Sequence, residues 1–412
     1  MVAPPFSYRL SPYLKAAASL GVEAKVVSQG RHSLVEAVAN GLHVDLADSC
    51  ATIQAIVESN LAEPLDAVIA TDDATVELAA KAGRALGLRT NAPDAALLSR
   101  RKDLARARLR ERGVAVPEFR VLDLDTPLPA QCVGVSFPCV VKPLALSASR
   151  GVIRVDDMDA LQHACARIRP IIAVAPPGPE RSRVLLEAFI PGAEYAVEGL
   201  IDAGRLEVLT IFEKPEPLDG PFFEESLYVT PARLDTRQVE SLSHMTAKAC
   251  AAYGIEHGPI HAELRLNQEG PWIVEVAART IGGECARLLE FGTGVSLEHL
   301  VIVHALGLSL PRARFDGCVG VLMLCGRQAG VLRRIEGVLE ASGIEHVTDV
   351  SISAREGREV TPLPEGGDYL GFVFARAGSP DAVEKALRQA REAIRVVVAP
   401  AWKLVPGARL AG

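Results

Sequence analysis

The 412 residues of the chain are enough for two or three domains, each with its own hydrophobic core. Apolar residues make up 49% of the sequence and charged residues 23%, a balance that excludes a mainly disordered chain. The 44 basic and 51 acidic residues give a net charge of −7, which provides no general attraction for nucleic acid or anionic lipid. A site that handles phosphate must therefore be built locally from a few cations.

The sequence carries no pattern of a targeting or membrane-spanning segment. The N-terminus lacks a basic stretch followed by an apolar one, so we expect no signal peptide. The most apolar later segment, 295–310, is interrupted by Glu298, His299 and His304, so we expect no membrane span. Eight cysteines without a Cys-x-x-Cys pair are typical of reduced thiols. We therefore expect a cytoplasmic protein that binds neither nucleic acid nor membrane.

The first ninety residues alternate strand and helix patterns. Short β-branched runs at 22–27 and 66–70 predict strands, and the apolar spacing over 74–86 predicts a helix. This alternation is typical of a small doubly wound βαβ domain. Asp72 and Asp73 follow the second strand, where they would either cap the next helix or contact a ligand.

The rest of the chain predicts larger α/β and α+β units. Up to residue 315 we predict helices over 94–112, 158–172, 235–253 and 297–306, and strands over 137–143, 184–190, 196–200, 260–266 and 272–277. The tail predicts a compact α+β unit with strands over 319–325, 347–352 and 369–377, and helices over 330–341 and 381–394.

A predicted hairpin carries two opposed glutamates. When Leu266 faces Trp272, Glu263 faces Glu275, and this register puts Ile273 on the face of the glutamates and Trp272 on the core face. Like charges directly opposite each other are destabilising. Either bulk water or a divalent cation would relieve the repulsion, and Mg²⁺ is commonly held by one or two carboxylates plus substrate phosphates. The hairpin alone leaves both interpretations open.

Two lysines are candidates for phosphate binding. Lys142 ends an apolar strand, where an ammonium group is costly unless it finds an anion. The small-residue segment after it contains Ser147 and Ser149, and such a segment offers backbone N–H groups and hydroxyls to phosphate oxygens. Lys102 lies in a basic run of the predicted helix 94–112. The alternatives are an ordinary lysine at a strand edge and a solvated helix face.

Glu187 and Glu194 flank a strand end and a turn. Carboxylates placed there would accept hydrogen bonds from ribose hydroxyls, and the backbone between them would contact an adenine edge. The alternative is a surface hairpin with solvated glutamates.

Taken in chain order, these features resemble the ATP-grasp superfamily. Its members present a lysine on a helix, a lysine before a small-residue lid, a hinge with two glutamates seven residues apart, and two metal-binding carboxylates on antiparallel strands. The resemblance covers residues 1–315 and is strongest to the L-amino-acid ligase branch, whose C-terminal domain the tail also resembles with less specific motifs. The stretches that carry it are 137–143, 220–225, 258–263, 275–279, 282–283 and 330–336.

The resemblance implies roles for individual residues. It implies ATP binding by Lys102, Lys142, Ser147, Ser149, Glu187, Ala188, Phe189, Ile190 and Glu194. It implies Mg²⁺ binding, with one or two ions, by Glu263 and Glu275, and a catalytic Arg279 that holds the substrate carboxylate or its acyl phosphate. It suggests substrate contacts by His261, Glu225, Gly282 and Gly283. Where many members have an asparagine as a further metal ligand, this sequence has Ala277, so water or phosphate oxygens would complete the shell of a second ion.

The implied fold and reaction follow from the same resemblance. An N-terminal α/β domain (1–93), an ATP-grasp domain (94–315, lid about 120–190) and a C-terminal α+β domain (316–412) would form an ATP-grasp fold. The implied activity is a carboxylate–amine ligase that forms an amide or dipeptide from a small carboxylic acid and an amine, both expected to be amino acids, and a homodimer is plausible for this branch. Alternatives are a bicarbonate-activating enzyme of the biotin-carboxylase type and an ATP-binding module without catalysis.

Overall fold

The structure is a computed structural model that describes residues 1–29, 40–175, 178–367 and 369–401. Its N-terminal part packs helices against a parallel pair of strands, and Val27, Ile56 and Ala82 belong to its core. The elements are α1 (Leu10–Ser19), β1 (Lys25–Gln29), β2 (Asn40–Val44), α2 (Ser49–Ala62) and α3 (Val76–Ala85). The predicted helix at 74–86 is α3, extended at its start by a 3-10 turn over Asp73–Thr75.

The strand predicted at 66–70 is wrong as a full strand. The segment makes only an isolated parallel bridge between Ala70 and Val2, and Val2 also bridges to Val27. The amide of Val2 donates to the Ile69 carbonyl at 2.8 Å. Val2 thus lies between the 66–70 segment and β1. Among the described residues no neighbouring pair extends either bridge, so the 66–70 segment does not form a strand.

The helix predicted over 94–112 is two helices, α4 (Pro93–Leu98) and α5 (Lys102–Glu111). Arg101 is extended, with φ −100° and ψ 100°, and the amide of Lys102 donates to the carbonyl of Leu144 at 2.9 Å. The tertiary hydrogen bond takes the place of the helical one at this point. Lys102 therefore begins a helix beside the segment that follows the lysine strand.

A second unit has a four-stranded antiparallel sheet in the order β3-β6-β4-β5, with the helix α7 on its core. Its elements are β3 (Phe119–Asp123), α6 (Leu128–Gln131), β4 (Cys139–Pro143), β5 (Ile153–Val155), α7 (Met158–Ile172) and β6 (Arg183–Ala188). The predicted strand at 137–143 and helix at 158–172 are confirmed. β4 places Lys142 at its carboxyl end, directly before the 144–151 loop.

The largest sheet has eight strands in the order β11-β10-β7-β8-β9-β12-β16-β14. Its elements up to residue 305 are β7 (Ala193–Asp202), β8 (Arg205–Lys214), β9 (Leu227–Thr230), α8 (Thr236–Tyr253), β10 (Gly258–Asn267), β11 (Gly270–Ala277), α9 (Arg287–Thr293) and α10 (Leu297–Ala305). The remaining elements are β12 (Cys318–Cys325), β13 (Gly330–Glu336), α11 (Val338–Ser342), β14 (Val347–Ile352), β15 (Glu359–Val360), β16 (Tyr369–Ala377), α12 (Pro380–Ala393) and β17 (Arg395–Ala399). Three strands of the tail thus continue the central sheet, and only β15, β13 and β17 form a separate one.

The helix predicted over 330–341 is wrong in its first half. β13 occupies 330–336 and pairs antiparallel with β17, and a short helix follows it. Gly337 separates the two with φ +79°, and a Cβ there would lie 1.9 Å from the carbonyl oxygen of Ala393. Pairing with a strand sixty residues later outweighs the local helical pattern.

Helix α8 begins with a capping box. The Asp235 carboxylate accepts from the Gln238 amide at 2.8 Å, and the Gln238 side chain accepts from the Asp235 amide at 3.0 Å. We expect Asp235→Ala to lower the free energy of unfolding by about 1 kcal/mol, because the Gln238 amide in the first turn of the helix loses its acceptor. Urea unfolding tests this, with Glu240→Ala on the exposed face of α8 as the control. Equal stability of the two variants would contradict it.

Within the described residues, no helix combines the length and apolar character needed to cross a bilayer.

Candidate functional site

A cavity of about 930 Å³ lies where the N-terminal segment, the four-stranded unit and the central sheet meet. This volume is in the range of small-molecule sites. Every residue predicted for the site lines it: Lys102, Lys142, Ser147, Ser149, Glu187, Ala188, Phe189, Ile190, Glu194, Glu225, His261, Glu263, Glu275, Arg279, Gly282 and Gly283. The fold thus brings together residues that are up to 181 positions apart in the sequence, from 102 to 283.

The hairpin β10–β11 has the predicted pairing at its functional end. Glu263 lies opposite Glu275, but a β-bulge follows, so that Arg265 rather than Leu266 faces Trp272. The predicted face of Ile273 is therefore wrong: it lies opposite Leu264 and is fully buried in the core. The extra residue of a bulge re-aims the side chains on either side of it.

A buried lysine that sequence reasoning missed joins three of the glutamates. Lys214 Nζ, on a side chain 2% exposed, donates to Glu194 at 2.7 Å, Glu225 at 2.6 Å and Glu263 at 3.0 Å. Ligand oxygens of these three glutamates lie within 4.8 Å of one another, close enough to share a cation. The signal was present in the sequence, because Lys214 ends an apolar strand just as Lys142 does.

The charges of this cluster are shifted by burial and by one another. Burial opposes ionisation of Glu263, but Lys214 and His261 hold the pKa of its carboxyl well below the ordinary value. Burial raises the pKa of Glu225 to about 7. The charge of Glu263 also raises this pKa, whereas Lys214 lowers it. The cluster therefore holds negative charge at Glu263, next to a carboxyl that is readily protonated.

Glu187 lies between two cations rather than in open space. Its carboxylate accepts from Arg106 Nε at 2.5 Å and forms an ion pair with Lys142, and all three side chains are almost fully buried. Burial would raise the pKa of Glu187, but Arg106 and Lys142 together hold it below its ordinary value. Arg106 was missed, although it lies one helical turn after Lys102; it also donates to the carbonyl of Val274 in the bulged strand at 2.7 Å.

Glu194 is buried against an arginine as well as Lys214. Arg265 Nε donates to it at 2.9 Å, and Arg265 Nη1 donates to the Ile190 carbonyl at 2.7 Å. The same guanidinium lies 5.0 Å from the Phe189 ring. The 187–194 segment is therefore fixed to the central sheet and is not a solvated surface hairpin.

The side chain of Lys102 extends to the hairpin β10–β11, which carries the two candidate metal ligands. Its Nζ lies 3.1 Å from the Glu275 carboxylate and donates to the Leu146 carbonyl at 2.9 Å. The loop that it touches turns sharply, with φ of 56° at Ala148 and 54° at Ser149. Left-handed backbone is uncommon outside glycine and marks a constrained loop.

Arg279 follows β11 and meets the N-terminal part of the chain. Its Nε donates to Asp73 at 2.8 Å, and its side chain is 10% exposed. Burial would lower the pKa of Arg279, but Asp73 outweighs it and raises the pKa further. Neither Asp72 nor Asp73 caps the 3-10 turn or α3; Asp72 instead pairs with Arg9 at 2.7 Å. Of the two roles open for these aspartates, the cap is therefore excluded.

His261 stands between two glutamates on the cavity wall. Its Nδ1 lies 3.1 Å from Glu198, which is fully buried, and its Nε2 lies 3.5 Å from Glu263. Burial alone would lower the pKa of His261, but hydrogen bonds to both carboxylates outweigh it and raise the pKa to about 9. Glu198 also accepts from the amide of Ile281 at 3.1 Å, which ties the hairpin to the Arg279 loop. Ala277, directly opposite His261, is buried.

Two segments of the chain match known families, and its fold is similar to that of a solved ligase. Residues 135–287 match the ATP-grasp domain family, and residues 322–399 match the family of L-amino acid ligase C-terminal domain 2. The crystal structure of an L-amino acid ligase from Bacillus licheniformis is similar with a TM-score of 0.84 and 26% identity, covering 97% of this chain and 98% of that one.

Curated relatives are similar at comparable identity over shorter spans. The alanine–anticapsin ligase of Bacillus amyloliquefaciens is 25% identical over 78% of this chain and 66% of its own length. The dapdiamide A synthase of Enterobacter agglomerans is 27% identical over 55% and 53%, respectively. The chain thus spans about half to two thirds of the length of these curated relatives. The chain thus contains one segment that matches the ATP-grasp domain family and one that matches L-amino acid ligase C-terminal domain 2, and its whole fold is similar to that of an L-amino acid ligase.

Proposed function

We propose that the protein is an ATP- and Mg²⁺-dependent carboxylate–amine ligase that forms an amide or dipeptide bond and releases ADP and phosphate. The observation that carries the proposal is the pair Glu263–Glu275 in one cavity with Lys102 and Lys142, with the buried Lys214 paired to Glu263 at 3.0 Å. Two anions, a carboxylate and a triphosphate, must meet in such a reaction, and a site with several cations and a metal lowers the cost of that encounter.

The donor groups suit both ATP and Mg²⁺. Carboxylate oxygens from Glu263 and Glu275 are hard ligands of the type that Mg²⁺ prefers, and Mg²⁺ there would neutralise phosphate oxygens. We assign phosphate binding to Lys102 and Lys142, with Ser147 and Ser149 in the loop over them. We assign adenine to the 187–190 segment and ribose to Glu194. Because the Glu187 carboxylate is paired with two cations, the backbone of Ala188 to Ile190 and the Phe189 ring are the better adenine contacts.

In the proposed reaction the substrate carboxylate attacks the γ-phosphorus of ATP, the bond to the β-bridging oxygen breaks, and an acyl phosphate and ADP result. The amine then attacks the acyl carbon, phosphate leaves, and the amine loses a proton. We assign to Arg279, which follows β11, the role of holding the carboxylate and the acyl phosphate. His261, Glu225, Gly282 and Gly283 would line the substrate side.

The experiment is ADP release from ATP and Mg²⁺ with amino acids supplied singly and in pairs, with the product identified by mass spectrometry. Stimulation by a pair and formation of the corresponding amide support the proposal. Turnover that depends on bicarbonate instead would indicate a carboxylase. ATP binding without turnover under any combination would indicate a binding module.

Hydrogen bonds hold the lid against the C-terminal tail, and their role can be tested by measuring the products of the reaction. The Gly151 amide donates to the Pro364 carbonyl at 2.8 Å, and Arg167 forms two hydrogen bonds to the Glu365 carboxylate at 2.8 and 2.9 Å. A closed lid keeps water from the acyl phosphate. We expect Glu365→Ala to raise the ratio of ADP formed to amide formed about two- to fivefold, the range of an exposed ion pair.

The control for this prediction is Arg169→Ala, on the same helix as Arg167 but paired with Asp125 within the lid and not with the tail. ADP and amide, measured in the same reaction, give the ratio directly. An unchanged ratio in Glu365→Ala, or an equal rise in the control, would contradict it.

We also propose that the chain divides into three domains, 1–93, 94–315 and 316–412, the third of which continues the central sheet. We further propose that the protein is a homodimer. Light scattering on the purified protein tests the dimer.

A further inference from the structure

Arg9 is a buried cation that neither the sequence motifs nor the proposed reaction uses. It lies on the N-terminal segment just before α1, lines the cavity and is 9% exposed. Its Nη1 donates to Asp72 at 2.7 Å, whereas its Nε is buried and has no hydrogen-bond partner among the described residues. A buried donor without an acceptor is costly and uncommon in folded proteins.

The missing partner must be an acceptor, because a guanidinium carries only donors. With Nη1 engaged by Asp72, the edge formed by Nε and Nη2 remains, and its two parallel N–H groups match the two oxygens of a carboxylate. A Cβ at Gly282 would lie 3.0 Å from Nη2, so glycine permits this approach. Gly282, one of the residues predicted on the substrate side, therefore lies next to the free Nε–Nη2 edge of Arg9.

The neighbouring cation is already committed. Arg279 uses Nε on Asp73 and Nη1 on the Thr280 carbonyl, and the proposed reaction assigns its remaining N–H groups to the acid substrate and its acyl phosphate. Arg9 comes from the N-terminal segment, with Asp72 as its counterion. Tyr8 accepts from the Gly283 amide at 3.0 Å and its ring lies 4.8 Å from the Arg9 guanidinium, which fixes this segment to the Gly283 loop.

We infer that the Nε–Nη2 edge of Arg9 binds a carboxylate on the amine substrate and so makes Arg9 a specificity-determining residue. The inference rests on the proposed ligase function. The acid substrate loses its carboxylate charge on activation, but a carboxylate on the amine keeps its charge throughout and needs a cation of its own in a buried site. Arg9 thus selects amines that bear a carboxylate over neutral ones.

The test compares one amino acid with its methyl ester as amine donors, with the acid substrate held constant. The ratio of kcat/KM for the two donors is measured in the wild type, Arg9→Met, Arg9→Lys and the control Arg89→Met, whose guanidinium pairs with Asp202 outside the cavity. A ratio within one preparation does not depend on the fraction of enzyme that is folded. Comparing ratios between variants also cancels the different reactivity of the two amines.

We expect the wild-type ratio to fall roughly 10- to 100-fold in Arg9→Met, the range of hydrogen bonds to a charged group, and to fall less in Arg9→Lys. The control should keep the wild-type ratio. An unchanged ratio in Arg9→Met overturns the inference while the ligase function stands. Absence of product from every acid and amine overturns the proposed function, and the inference with it.

Discussion

Replacement of Glu263 by glutamine is expected to lower the rate of ADP formation roughly 10²- to 10³-fold at any Mg²⁺ concentration that saturates the wild type. The amide offers one neutral oxygen where the carboxylate offers two charged ones, so the cation that balances the phosphates is held poorly. The fold should be retained, since Lys214 keeps two other glutamates as partners. Steady-state rates over a series of Mg²⁺ concentrations measure the effect.

Glu275→Gln should behave similarly, because Glu275 lies opposite Glu263. Glu269→Gln, in the exposed turn of the same hairpin, is the matched control and should keep the wild-type rate. If Glu263→Gln retained the wild-type rate and the wild-type Mg²⁺ dependence, the metal assignment would be wrong. A loss of activity in Glu269→Gln would instead point to damage of the hairpin itself.

The largest stability effect is expected for Glu187→Gln, which should lower the free energy of unfolding by about 3–5 kcal/mol. The substitution leaves Arg106 and Lys142 facing each other without an anion, in a place where all three side chains are almost fully buried. The double variant Glu187→Gln/Arg106→Met removes one of the two cations and should recover part of the loss. Urea unfolding measures all three proteins, and a double variant less stable than the single one would contradict the argument.

The loss of stability in Glu187→Gln is expected to depend on pH. The pKa of Glu187 is lower in the folded state than its ordinary value, so its stabilising contribution is present above the pKa of the unfolded chain. That contribution is lost as pH falls through the folded-state pKa. The gap in stability between wild type and Glu187→Gln should therefore be widest near neutral pH and narrow in acid, and a gap independent of pH would contradict it.

The parts of the site that the sequence predicted are those with local signals. Opposed glutamates follow from counting along a hairpin, and Lys142 follows from an apolar run that ends in a charge. The count started one residue off at the turn, where Arg265 rather than Leu266 faces Trp272, and the bulge after Glu263 could not be recognised from side-chain alternation. The functional pair was nevertheless predicted correctly, because the bulge between Glu263 and Leu264 offsets the error made at the turn.

The parts that could not be predicted depend on contacts between distant segments. Arg106 and Glu187 are 81 residues apart, and Arg279 and Asp73 are 206 apart. The local sequence pattern alone predicts a solvated helix residue at Arg106 and a helix cap at Asp73. Only the packed structure reveals that each is the counterion of a buried charge, and the same applies to the break that places Lys102 at the start of α5.

Because strands of the C-terminal tail belong to the central sheet, the tail cannot be removed or exchanged independently of that sheet. Strand β9, whose residues 227–230 are all buried, pairs on one side with β8 and on the other with β12 of the tail. Cutting the chain near residue 315 would leave an unpaired apolar edge, which is a template for self-association. Chimeras with related enzymes should therefore exchange the tail together with β9, or keep the native tail and vary only the loops around the cavity.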